Sequence, residues 1–217
     1  MLKSLIACVS VGTVVLLATA CVAQNAPVPV RADANATRLT NAPPEGSADV
    51  MFARAMMAHH AQAVEMSLNL RDRSSNPELR TLALDIILTQ QNQIGQMQGW
   101  LAAWDVPITG KEPPMQGMAS MMGMATQPQV NALRTLPISE AEKSFLELMI
   151  RHHQGGIAMA NDALQRAQRP EVLRLANAIV KGQQSEIEYM QELLSRRDSQ
   201  SLDATPMPTS TAMSMNH

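Results

Sequence analysis

MIRHHQGGIAMA, residues 149–160, sets two adjacent histidines between two methionines in a segment otherwise spaced like a helix. MMAHHAQAVEM, residues 56–66, does the same 93 residues earlier. The offset holds without a gap. Phe52 matches Phe145, Met56 matches Met149, His59-His60 match His152-His153, and Met66 matches Met159. The register continues through Pro77-Glu78 with Pro170-Glu171, Leu82-Ala83 with Leu175-Ala176, Gln90-Gln91 with Gln183-Gln184, and Met97-Gln98 with Met190-Gln191. Loose helical composition does not keep register over such a span, so the chain contains an internal duplication.

Each copy reads as two helices. Ser47 and Ser139 are candidate caps for the first helix, and Ser139 with Glu142 fits a capping box. The break falls at Ser74-Ser75-Asn76-Pro77 in one copy and at Gln168-Arg169-Pro170 in the other, with proline at the first helical position of each restart. Leu79, Leu82 and Ile86, then Val172, Leu175 and Ile179, mark a buried stripe on each second helix. Two hairpins with one apolar face each bury those faces against each other, which predicts an all-α four-helix bundle.

The 217 residues divide accordingly. Residues 1–23 read as a signal peptide: Lys3 supplies the charged start, Leu5 to Leu17 the apolar run, and Ala18-Thr19-Ala20 a small-x-small cleavage site. The run is short for a membrane span, which needs about 20 apolar residues. Leu17 to Cys21 loosely matches a lipobox, so lipidation at Cys21 is the alternative to plain export, and the chain then meets a membrane only through that anchor. The remaining divisions are a tether over 24–46, hairpins over 47–104 and 138–198, a Met-rich linker over 105–137, and a tail over 199–217. Net charge is −2 and aromatics are 2%, which gives no nucleic-acid surface. Both cysteines, Cys8 and Cys21, lie in the leader region, so the folded part offers neither disulfide nor thiolate.

Methionine is the outlier, with 17 residues. Taken singly, most are core fillers, as Met97 and Met190 are expected to be, with a place facing the site as the alternative for those two. The histidines argue for more. Apart from His217, all belong to the duplicated pairs, and burying four imidazoles costs free energy unless partners or a metal satisfy them. Successive helical residues stand about 100° apart, so only one histidine of each pair is expected to face the bundle axis squarely. Met66 shares the face of His59, as Met159 shares that of His152, so a two-fold arrangement would bring histidine and methionine from both copies to a common region. In the linker, Met115, Met118, Met121, Met122 and Met124 fall within ten residues and without a large aliphatic neighbour. Such spacing suits Cu(I), because thioethers are soft, neutral ligands that need no deprotonation. Met213, Met215 and His217 repeat the pattern in the tail. The alternative for loop and tail is a flexible segment that serves as an oxidation sink.

FLELMIRHHQGGIAMA and MFARAMMAHHAQAVEMS resemble the paired signatures of the DUF305 family, close to F-x-x-M-I-x-H-H-x-x-A-I-x-M-A, over residues 47 to about 195. The resemblance is to exported copper-binding proteins of the CopM type. It implies a ferritin-like bundle and copper handling in the periplasm, and points to Met56, His59, His60, Met66, Met149, His152, His153 and Met159. Two departures stand out. Gly156 replaces the usual alanine and is expected to loosen its turn, and Gln93 faces Glu186 at equivalent positions, so an acidic group is present only once.

The reading that follows is a non-enzymatic, periplasmic or secreted protein that sequesters or hands on Cu(I), with Cu(II) also held by the histidines. Other periplasmic copper proteins or efflux components are the expected partners, and a homodimer is compatible with the sequence. Three alternatives remain. A di-metal oxidase needs Glu-x-x-His, which does not occur here. A haem-binding bundle would have to be non-covalent, since Cys-x-x-Cys-His is absent. A stress or interaction protein would use its methionines as an adaptable surface.

Overall fold

The computed structural model describes residues 42–110 and 122–203, omitting the side chains of 198 and 200–203. Cys21, Met115, Met118, Met121, Met213, Met215 and His217, all singled out in the sequence, lie outside the described residues, as does the leader. The described chain is all-α: α1 Ala48–Arg71, α2 Pro77–Ala103, α3 Gln127–Thr135, α4 Ile138–Arg166 and α5 Pro170–Asp203.

Local signals account for most of the boundaries. Ser47 caps α1, its side chain accepting from Val50 N at 3.3 Å. Asn76 caps α2 by accepting from Glu78 N and Leu79 N, with Pro77 at the first helical position. Pro170 opens α5 in the same way. The capping box expected at Ser139 does not form: α4 begins two residues earlier, behind Pro137, with no side-chain cap. The reason lies in tertiary structure, because Glu142 turns away to accept from Ser74 Oγ at 2.6 Å and Arg197 Nη1 at 2.7 Å.

That displaced carboxylate has a twin. Asp49, the repeat equivalent of Glu142, is buried and accepts from the backbone N–H groups of Gln168 and Arg169 at 3.1 and 2.9 Å. Each repeat thus uses an acidic residue in its first helix to satisfy the inter-helix turn of the other. The two hairpins, α1–α2 and α4–α5, are cross-braced at both ends. They meet along α1 and α4.

The core divides into two clusters. One gathers Met66, Leu79, Leu82, Ile86, Phe145, Met149 and Met190; the other gathers Phe52, Met56, Met97, Val172, Leu175 and Ile179. The repeat offset maps members of one onto members of the other, so the halves are related by a pseudo-two-fold axis.

The linker contains a further helix. Its latter part forms α3, opened by a full capping box between Thr126 and Gln129. Val130 and Leu133 sink into the first cluster, while Arg73 donates to the carbonyls of Leu133 and Leu136. The last helix also continues a turn beyond the expected end of the hairpin, to Asp203. Among the described residues, no helix is long and apolar enough to cross a membrane.

Candidate metal centre

Met56 and Met66 flank the first histidine pair on α1, yet they belong to different core clusters. The histidines therefore stand between the clusters, where the pseudo-two-fold axis crosses α1 and α4. His59 and His152, one from each repeat, stack with ring centroids 3.7 Å apart and planes 26° apart. All four histidines are fully buried. The two members of each pair point to different sides, as the 100° step requires, yet both sides are interior. A first helix here has two buried sides, one against the opposite repeat and one against its own hairpin partner, and the 100° step serves both. His59 and His152 take the first side. His60 and His153 take the second, reaching Gln93 on α2 and Glu186 on α5, each at 2.6 Å.

Acceptor chemistry fixes the ring protons. Met122 O, 3.0 Å from His59 Nε2, can only accept, and so can the Glu186 carboxylate beside His153 Nε2. Gln93 presents Oε1 to His60 Nε2. These contacts place a proton on Nε2 of His59, His60 and His153, and the neutral form of such a ring keeps its lone pair on Nδ1. Metal-bound histidines have this arrangement, with the far nitrogen held by a carbonyl or carboxylate. All three Nδ1 atoms are buried and without a partner. His152 lies close to the His59 main chain, but neither of its ring nitrogens makes a hydrogen bond.

Gln90 and Gln183, twins on α2 and α5, complete the layer. Both are buried, with amide nitrogen and oxygen unpartnered. Native interiors hold only a few such atoms per hundred residues, and each calls for a ligand, a water or an ion. Here nearly all of those in the described structure fall in one polar layer of four twin pairs: His59/His152, His60/His153, Gln90/Gln183 and Gln93/Glu186.

Burial also keeps lone pairs free of protons. It lowers His59 to about 4 against a weaker upward pull from the Met122 carbonyl. It lowers His60 to about 3, with His59 adding a smaller push in the same direction. Burial likewise holds His152 well below the ordinary histidine range. Neutral imidazole is the form that binds metal.

The methionines divide symmetrically. Met66, Met149 and Met190 lie in the cluster on one side of the layer; Met56 and Met97, with half-buried Met159 at the edge, lie on the other. The structure thus brings the histidines to one place and sets the thioethers above and below them, where the common region expected from the sequence held both. Among the described residues, no three His, Cys, Asp or Glu side chains converge on one ion-sized point.

The C-terminal end of the methionine loop is anchored on this layer. Besides the His59 contact, Gln62 clamps Ala125 by accepting from its N–H at 2.8 Å and donating to its carbonyl at 2.9 Å. Gly123 adopts φ +70°, and a Cβ there would collide with the Arg151 carbonyl. A Cβ on Gly155 would strike the Met122 carbonyl and the backbone behind it. Met122 is buried at the seam and Met124 is half-buried. Gly156 does not act as a loosened turn: it admits the Gln183 amide, into which a Cβ would run. Sequence reasoning missed Gln62, Gln90, Gln183, Gly123 and Gly155 as parts of the site. The signal available was the repetition of Gln90 and Gln183 one helical turn before the Gln93/Glu186 positions. Gln93 also lines an open groove of about 660 Å³ with Asn92, Gln96, Trp100 and Arg174.

A family model described as "Domain of unknown function (DUF305)" matches residues 49–194. A DUF305 protein from Streptomyces coelicolor, described as secreted, is 46% identical with a TM-score of 0.67; the match covers 71% of this chain and 96% of that one. CopM in its Cu(I)-bound form is 28% identical with a TM-score of 0.57, over 68% of this chain and 96% of CopM. Structures of CopM with Cu(II) and with Ag bound align comparably. An uncharacterised protein of Acanthamoeba polyphaga mimivirus is 38% identical over 53 residues, a match spanning 35% of that protein's length.

Proposed function

The chain belongs to the DUF305 family, and we propose that within it this protein is an exported copper binder that sequesters Cu(I), and also takes Cu(II), or passes the ion on. One observation carries this reading: a buried layer in which three imidazoles are held by their Nε2 protons and present unpartnered Nδ1 lone pairs. Thioethers bracket that layer, so a copper ion there meets nitrogen and sulfur donors that are neutral and already free of protons. The copper and silver carried by CopM support the same assignment. Met122 and Met124 add exchangeable sulfur ligands next to the layer, and Met115, Met118 and Met121 precede them in the sequence, so an ion can be swapped between donors one bond at a time.

The protein acts as a binder and carries out no reaction in this reading. Glu186 is the single carboxylate among the eight layer side chains, which is poor ground for a carboxylate-bridged di-metal oxidase. Export places it in the periplasm or outside the cell, where another copper protein or an efflux component would receive the ion. Competition against a coloured Cu(I) chelator tests the proposal. The wild-type protein is expected to withdraw Cu(I) from the chelator, and replacing the five loop methionines by isoleucine is expected to weaken that withdrawal. An undiminished chelator signal with wild-type protein would overturn it.

A further inference from the structure

The two outer histidines occupy twin positions but face different partners. His60 Nε2 donates to the neutral amide of Gln93 and His153 Nε2 to the carboxylate of Glu186, each at 2.6 Å. Both acceptors are half-buried at opposite rims of the layer, and the Glu186 side chain is 24% exposed. One rim of the site therefore carries a formal negative charge and the other does not.

We propose that the two halves are inequivalent metal positions: the His153–Glu186 half accepts a divalent ion, Cu(II), whereas the His60–Gln93 half accepts only a monovalent one. The inference rests on the copper reading above and deepens it. Two physical effects act in the same direction. A carboxylate that accepts the Nε2 proton makes Nδ1 the stronger donor, as it does in carboxylate–histidine–metal triads. The carboxylate also offsets ionic charge inside a low-dielectric layer. Cu(II) beside Glu186 leaves a net charge of about +1, the same as Cu(I) beside Gln93, whereas Cu(II) beside Gln93 would leave about +2 buried without compensation. Coulombic stabilisation by Glu186 scales with the charge on the ion, so Cu(II) gains roughly twice what Cu(I) gains. The repeat supplies its own control, because Gln93 and Glu186 hold their histidines at the same distance.

The test uses the full chain carrying His217→Ala, which leaves the layer as the sole source of histidine, since the sequence has five in all. Electron paramagnetic resonance then counts Cu(II) with imidazole nitrogen coupling, and chelator competition measures both oxidation states. In this background one imidazole-bound Cu(II) per chain is expected. Glu186→Gln should lower Cu(II) affinity by about tenfold or more, in line with loss of a carboxylate partner, and lower Cu(I) affinity less. Gln93→Glu should add a second imidazole-bound Cu(II), a gain that a misfolded variant would not show. Undiminished Cu(II) affinity in Glu186→Gln, or no second Cu(II) in Gln93→Glu, would overturn the proposal. Cu(I) binding without any imidazole-bound Cu(II) would overturn it while leaving the copper reading intact. Absence of binding in either oxidation state would overturn both.

Discussion

His59 and His60 sit where a charged imidazole loses its hydration and gains little in return, and this makes the fold sensitive to acid. An unfolded histidine takes its proton near pH 6.5, whereas burial holds folded His59 to about 4 and folded His60 to about 3. Between those limits the unfolded chain binds more protons, so stability falls as pH drops through the window and is unaffected by these groups above it. Each histidine can contribute up to about 1.4 kcal/mol per pH unit there. Urea midpoints of the metal-free protein at pH 7 and pH 5 check this: a clear drop at pH 5 is expected, and a His59→Gln, His60→Gln variant should lose much of it. Equal midpoints at the two pH values would mean that the imidazoles are not buried as described. The identity of these residues was legible from the repeated His-His pairs. Their tautomers were not, because Met122 O, Gln93 and Glu186 reach them across 63, 33 and 33 residues of chain.

Two kinds of helical glycine separate at the level of elements. Gly155 lets the Met122 backbone lie directly on α4, whereas Gly95 and Gly182 face open space. Gly155→Ala is expected to cost about 1–3 kcal/mol through overpacking. Gly95→Ala and Gly182→Ala should each stabilise by about 0.5–1 kcal/mol, since alanine is the better helix former. Denaturation midpoints of the three variants give the signs, and a stabilised Gly155→Ala would show that the loop is not seated on α4. The cross-braces form a second test. Asp49→Ala leaves the Gln168 and Arg169 N–H groups unsatisfied and should cost about 1–3 kcal/mol. Glu142→Ala should behave similarly, and the double variant should be close to additive because the braces share no partner. Elements governed by local chemistry, such as the Ser47 and Asn76 caps and both helix-opening prolines, were readable in the sequence. The Ser139 box failed because Ser74 and Arg197, distant in sequence, compete for Glu142. Helix α3 escaped notice because a nine-residue element with two buried apolar residues has little periodicity of its own.

The whole molecule is a duplicated hairpin closed about a polar layer, and the duplication explains both its fold and its site. A gapless offset predicted two equivalent halves, and the paired core clusters and paired braces follow it. Symmetry breaks in three ways. Glu186 in place of Gln93 was legible in the repeat; the loop anchor on His59, with no counterpart at His152, and the role of Gly155 in place of Gln62 were not. Each difference lies on or beside the layer, whereas the surrounding core stays paired. On the proposed function, copper binds this layer through Nδ1 while Nε2 keeps its proton. Nitrogen-15 NMR of histidine-labelled protein, titrated with Cu(I) under strict reduction, tests it one atom at a time. The Nδ1 resonances of His59, His60 and His153 are expected to move on binding while their Nε2 resonances remain those of protonated nitrogen. Ring resonances that stay fixed while Cu(I) binds, or shifts confined to Nε2, would contradict it.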